Sequence, residues 1–224
     1  MPLAPVTRAS VSDAVFAALT EEILSGRLAP GEPLPAERDL ATTFEVNRHA
    51  VREALKRLQQ AGLVVISQGG RTRVQDWRAH AGLEALVGLV HSGAVPSGQV
   101  LDDLLEMRAA LGADAARWCA QRASADEVAT VIAAAQAYPE RPGPDLTAID
   151  LVFWTAVVDG AHNLAYRLGL NTLASGIAAV GHEHLDGLLE EYADRAAHLA
   201  LAHAIADRDA DRALALAQAL LARR

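Results

Sequence analysis

Helix stops fall at short, regular intervals between residues 11 and 75 of this 224-residue chain, and their spacing leaves few folds open to it. Val11, Ala14, Val15, Ala18, Leu19 and Ile23 recur at helical period, and Ser10 to Asp13 fits a capping box, which predicts a helix over 11–25. Gly26 and the pair Pro30, Gly31 stop it. Pro35 opens a short second helix whose inward side is Leu40, Ala41 and Phe44. Asn47 is a good N-cap for a third helix over 48–61, with Val51, Ala54, Leu55 and Leu58 as its apolar stripe and Gly62 as its end. Leu63 to Ser67 and Thr72 to Gln75 read as two short strands joined through Gln68, Gly69, Gly70 and Arg71. Helix, short helix, tight turn, helix and hairpin form the layout of a winged helix-turn-helix.

Charge distribution decides what such a domain can touch. The whole chain carries a net charge of −8, unpromising for a nucleic-acid binder. Residues 1–76, however, hold nine basic and nine acidic groups, which leaves 11 basic and 19 acidic for residues 77–224. The two halves therefore differ in character, and any DNA contact must come from a local patch on the first. Arg48, His49, Arg52 and Lys56 lie on the face of the third helix opposite its apolar stripe. Arginines there suit a major groove, where they bond guanine edges bidentately or hold phosphates. Gly70 at the hairpin tip allows close backbone approach, and Arg71 and Arg73 add charge. The plainer reading is a solvated helix face with Arg–Glu pairs, since Glu45 and Glu53 are near.

Composition fixes the class of the remainder. With 51% hydrophobic and 21% charged residues the chain is not disordered, and with 4% aromatic residues and abundant alanine its strands should be few and its helices many. A single cysteine, Cys119, excludes an internal disulfide and any CxxC metal or redox pair. No apolar run approaches the ~18 residues of a membrane span, and the first residues lack a signal-peptide pattern, so a cytoplasmic protein is expected. The expected fold is mainly α: an N-terminal winged helix-turn-helix over 1–76, a linker with a short amphipathic helix over 77–98, and a C-terminal all-α antiparallel helical bundle over 99–224. In the linker, Leu83, Leu86, Val87 and Val90 form the amphipathic face. Breaks near 123–124, 138–144, 160–163, 181 and 207–209 divide the bundle into six helices, and bundle interiors are natural ligand sites.

Polar residues on apolar stripes are the informative ones. Leu101, Leu104, Leu105, Leu111, Ala115 and Trp118 face inward on the first bundle helix, and Arg108 falls among them. Asp150 sits among Leu146, Ile149, Phe153 and Val157, while His198 shares a face with Leu201 and Ile205. A buried charge needs a partner, a metal or a ligand. Arg108 and Asp150 can simply pair inside the bundle, and His198 can be a satisfied core histidine. No Gly-rich phosphate loop, nucleophile elbow or HExxH motif supports an enzyme; a metal-assisted hydrolase using Asp150 and His198 is the remote alternative.

Residues 26–41, 46–58 and 62–64 resemble, in order and densely, the DNA-binding domain of GntR-family bacterial transcription regulators. The resemblance implies that Arg38, Arg48 and Arg52 contact the operator, with His49 on the groove side and Gly70 at the wing tip. Ala36 stands where the family often has serine, so a helix cap worth about 1 kcal/mol is lost; Asn47 replaces another serine and keeps its cap. Leu104 to Arg108 and Ala109 to Arg122 look like the first helix of the FCD effector domain of the FadR branch. Asp150, Phe153 and Asn163 resemble its D-x-x-F-H…N motif, and His198, Ala204, Ile205, Asp209 and Ala213 its H-x-x-x-x-x-A-I…D…A motif.

Many members of that branch hold a divalent metal through one aspartate and three histidines, with an organic acid on it. Here Asp150 and His198 match metal positions, but Trp154 and Leu220 stand where two histidines would be, with His162, His182, His184 and His203 as possible substitutes. The resemblance thus implies a homodimeric regulator of near-palindromic double-stranded DNA whose effector is met by Arg108, Asp150, Trp154 and His198. A fatty acyl-CoA or other carboxylate leaning on Arg108 is the favoured effector. A metal-dependent, organic-acid-responsive regulator is the alternative.

Overall fold

The computed structural model describes residues 11–67, 71–92, 95–140, 146–180 and 186–222. The chain divides into two compact units, Met1–Ser97 and Gly98–Arg224.

In the first unit, α1 (Val11–Leu24), α2 (Glu37–Thr43) and α3 (Arg48–Gln60) surround one core. Val15, Leu19 and Ile23 from α1 meet Leu40 from α2 and Val51, Ala54, Leu55 and Leu58 from α3. Each is a stripe residue at helical period, so burial rather than propensity selects these helices. Helix α2 starts at Ala36 with no side-chain cap, whereas the Asn47 side chain accepts a 2.9 Å bond from the Ala50 amide and starts α3. The tight turn between them places Glu45 at φ 54°. Gly62 ends α3 at φ 70°, and a Cβ there would stand 2.3 Å from the His80 carbonyl oxygen, so only glycine fits.

Strands β1 (Val64–Val65) and β2 (Arg73–Val74) pair antiparallel, Val64 opposite Val74, with a further bridge from Pro33 to Arg73. The strands are shorter than the sequence suggests. The hairpin tip with Gly70, and Ser10 of the expected capping box, lie outside the described residues. Beyond β2, α4 (Trp77–His80) leads to α5 (Leu86–Ser92), which packs on α1. The buried residues of this segment are Ala85 and Leu89; Leu83 is exposed and Val87 and Val90 are only half-buried, so the inward face is rotated from the expected one.

Among the described residues the elements of the second unit are all helices: α6 (Ser97–Arg122), α7 (Ala125–Gln136), α8 (Leu146–Gly160), α9 (Leu164–Val180), α10 (Asp186–Ala193), α11 (Arg195–Ala206) and α12 (Ala210–Leu221). Seven helices are thus described where the breaks in the sequence suggest six. The extra stop is Asp194, whose side chain accepts from the Ala197 amide and caps α11. Ser124 and Glu127 form a reciprocal capping box at α7, and Asp209 caps α12. The core joins Ala115, Ala116 and Cys119 to Phe153, Val157, Leu201, Ile205 and Leu220. Alanine's small side chain lets α7, α8, α11 and α12 pack closely. Leu105, Leu111 and Trp118, expected inside, are half-buried. Among the described residues no helix is long and apolar enough to cross a membrane.

Candidate functional site

Two sets of residues stand out, one in each unit. On the first unit, Arg48, His49 and Arg52 occupy the first turns of α3 and are exposed, because the same helical period that buries Val51, Ala54 and Leu55 turns them outward. Arg38 on α2 and Arg71 beside the hairpin are exposed too. The expected pairing with Glu45 or Glu53 is not what forms around Arg52. Its Nη2 donates to Glu37 Oε2 at 2.9 Å, and its Nε lies 3.3 Å from both Glu37 oxygens. Glu53 pairs with Lys56 instead. The hydrogen bond from Arg52, and attraction from Arg52 and Arg48, hold the Glu37 carboxyl below the usual carboxylate range. Arg57 ties α3 to α1 by pairing with Asp13 and lying over the Phe16 ring at 4.3 Å. Arg73 donates to the Gly31 carbonyl at 2.9 Å and so supports the hairpin.

In the bundle, Arg108, Asp150, Trp154 and His198 converge from α6, α8 and α11. Arg108 donates from Nη2 to Asp150 Oδ2 at 2.9 Å, and bidentately to Glu191, at 2.8 and 2.7 Å. Glu191 is 0% exposed on α10 and is absent from the sequence reading. Nor does the sequence pattern single out Tyr138, whose hydroxyl donates to Asp150 Oδ1 at 2.9 Å and whose ring stacks on His198 at 3.9 Å. The His198 ring is fixed through Nδ1, 2.8 Å from the Asp194 carbonyl, and its Nε2 is 3.5 Å from Asp150 Oδ1. Burial by itself would lower the Arg108 pKa, but the two carboxylates push it up. Burial raises the Glu191 carboxyl against the pull of Arg108, and burial with the Asp150 charge raises Tyr138.

A cavity of about 250 Å³ opens beside this cluster. Arg108, Asp150 and Tyr192 line its polar end, and Trp154, Leu170, Leu173 and Ile177 contribute apolar wall. The volume lies just below the usual range of small-molecule pockets, and the lining suits a molecule with an apolar body and a polar head.

The donors do not fit a resident divalent metal. Asp150, Glu191 and His198 do bring ligand atoms within 4.8 Å of one another. Yet both Glu191 oxygens and Asp150 Oδ2 accept from Arg108, and Asp150 Oδ1 accepts from Tyr138. A guanidinium occupies the place of the cation, and of the ligand atoms that Asp150, Glu191 and His198 bring together only His198 Nε2 lacks a hydrogen-bond partner. Trp154 and Leu220, at the two positions where the resemblance puts histidines, are buried apolar neighbours. His162 is exposed beside Glu127 and His203 is exposed on α11, so neither replaces them; His182 and His184 lie outside the described residues. The same occupied oxygens leave Asp150 without the open coordination a hydrolytic metal needs.

Comparison with known proteins agrees with both units. The family described as "Bacterial regulatory proteins, gntR family" matches residues 11–74, and the "FCD domain" matches residues 103–223. The HTH-type transcriptional regulator Mce2R of Mycobacterium tuberculosis is 39% identical over 172 residues, 76% of this chain and 72% of that one. The fatty acid metabolism regulator protein of Yersinia enterocolitica is 30% identical over 163 residues, 73% of this chain and 67% of that one. A solved GntR structure from Streptococcus agalactiae shares the fold with a TM-score of 0.50 at 19% identity, covering 94% of this chain and 97% of that one. These relatives are regulators rather than enzymes. With its winged helix-turn-helix and its helical FCD domain, the chain belongs to the GntR family of bacterial regulatory proteins and is a DNA-binding transcriptional regulator.

Proposed function

We propose that this regulator binds its operator as a homodimer through Arg38, Arg48, His49, Arg52, Gly70 and Arg71, and that an amphipathic carboxylate, a fatty acyl-CoA or another organic acid, binds in the bundle and releases the DNA. The observation that carries the effector reading is the apolar cavity ending on the buried guanidinium of Arg108. An acyl body gains free energy from leaving water against Trp154, Leu170 and Leu173, while the carboxylate of an organic acid, or a phosphate of the CoA in a thioester, competes with Asp150 for Arg108. Asp150 would keep its hydrogen bond from Tyr138 and move with α8 away from α6. An effector that prefers this shifted bundle lowers DNA affinity by the same factor by which DNA lowers effector affinity. The relative from Yersinia named for fatty acid metabolism supports the choice of chemistry.

The test is DNA release followed by fluorescence anisotropy over a panel of acyl-CoAs and organic acids. The DNA is a duplex selected by the wild-type protein from a random library. Ala174 lines the cavity, so Ala174→Phe takes up part of its volume while leaving Arg108, Asp150 and Glu191 themselves unsubstituted. The variant should bind DNA as the wild type does and need at least tenfold more effector for release. Equal sensitivity in the two proteins refutes this site.

A further inference from the structure

A carboxylate on the surface expected to meet DNA opposes the phosphates, and Glu37 stands there. It is the first residue of α2, 15 positions from Arg52, and its side chain is pinned between helices by the Arg52 guanidinium. The field of Arg48 reaches it as well. We infer that Glu37 is a specificity-determining positioning residue, which converts Arg52 from a general phosphate binder into a reader of base edges. This rests on the proposed role of Arg52 at the DNA.

The geometry supports it in two ways. First, Glu37 takes the Nε and Nη2 side of the guanidinium, so Nη1 is left without a partner among the described residues. A planar fork held by one edge presents its remaining donors in a fixed direction, and arginine then loses less rotamer freedom on meeting a ligand. The guanine edge offers two neighbouring acceptors, O6 and N7, to such donors, whereas adenine and the pyrimidines offer no such pair. Second, the Glu37 charge cancels that of Arg52 toward distant phosphates. Non-specific binding to duplex DNA scales with the number of protein charges that release counterions, so the pair removes about one unit from that count. Aligned donors raise affinity for the right sequence, and the cancelled charge lowers affinity for every sequence. Both effects widen the gap between them. Arg38 pairs only with its own neighbour Asp39, at 3.3 Å, and Arg48 makes no hydrogen bond or ion pair among the described residues, so of the three arginines proposed to meet the operator Arg52 is the one held by a carboxylate from another helix.

The experiment uses the full chain. A duplex selected by the wild-type protein from a random library is compared with a scrambled duplex by anisotropy titration across a series of KCl concentrations. The proteins are the wild type, Glu37→Gln, Arg52→Ala and the double variant. Glu37→Gln should bind the scrambled duplex more tightly, with a salt dependence steeper by about one charge, and the ratio of selected to scrambled affinity should fall about tenfold. In the Arg52→Ala background the further change Glu37→Gln should leave that ratio unaltered. If Glu37→Gln keeps the wild-type ratio and salt slope, Glu37 is a surface ion-pair residue and the inference is overturned. If Glu37→Gln lowers the ratio equally in the Arg52→Ala background, it acts through another cation and the inference is again overturned. Failure of the underlying reading looks different: Arg52→Ala alone then leaves both duplexes bound as before. Thermal melts of all four proteins should agree within a few degrees, because the pair is exposed.

Discussion

Arg108 and Glu191, 83 positions apart in sequence, form a bidentate pair inside the bundle, with the Glu191 side chain wholly shielded from water. The sequence reading gives Arg108 one carboxylate neighbour, Asp150; the structure gives it two. Removing the guanidinium therefore strands two buried acids, not one. Arg108→Met should cost about 3–5 kcal/mol, the usual result of breaking a buried ion pair from one side. The double variant Arg108→Met with Glu191→Gln should recover part of that loss. Urea denaturation midpoints of the three proteins check both statements.

Tyr138 donates to Asp150 Oδ1 at 2.9 Å, while His198 Nε2 stands farther from the same oxygen, at 3.5 Å. Tyr138→Phe keeps the ring stacked on His198 and deletes only the hydroxyl. A hydrogen bond to a buried charged group contributes about 1.5–3 kcal/mol, so the melting temperature should fall by several degrees. Calorimetry is the direct measurement.

The capping box of α7 makes a pH-dependent contribution. Hydrogen bonds from the Ser124 amide, then from His162, hold the Glu127 carboxyl below its usual range. A lowered folded-state value means stabilisation that is complete above the ordinary carboxylate pKa and is lost as pH falls through the lowered value. Between about pH 5 and about pH 3 the wild type should therefore lose stability more steeply than Glu127→Gln. Ser124→Ala should cost about 1 kcal/mol at neutral pH, from the lost cap. Urea titrations at several pH values give both.

With its carboxylate oxygens already committed to Arg108 and Tyr138, the bundle has little to offer a cation. EDTA should barely shift the melting temperature, since a ligand that does not bind the native state adds nothing to its stability. Stoichiometric zinc or nickel in tag-free protein, by elemental analysis, would contradict this.

The parts of the molecule legible in the sequence are those fixed by local chemistry. Asn47 and the stripe from Val51 to Leu58 identify α3 because cap and periodicity act within a few residues. Arg108, Asp150 and His198 are visible as polar interruptions of apolar stripes. Glu191 escapes because its stripe, Leu188, Glu191 and Tyr192, belongs to a short helix whose end at Asp194 is hidden in a continuous helical pattern. Glu37 escapes because its partner lies on another helix. Trp118 is misplaced for a different reason. Over the 26 residues of α6 a heptad pattern drifts by about 20° per repeat, so the buried face moves from Leu101 and Leu104 to Ala115 and Cys119. Trp118 is left at the side, against Arg117 and Arg122.

The packing of α5 on α1 has a consequence for modularity. Leu89 lies in the same core as Val15 and Leu19, and Gly88 passes so close to Thr20 and Leu24 that a methyl group there would crowd both. A fragment cut at Asp76 would bare this apolar seam to water and to its own copies. Val95 packs against the same core, so the smallest transplantable reader of DNA runs to Ser97, and a chimera joined beyond that point should keep its preference for a half-site, while the domain grafted behind it sets how two half-sites are spaced.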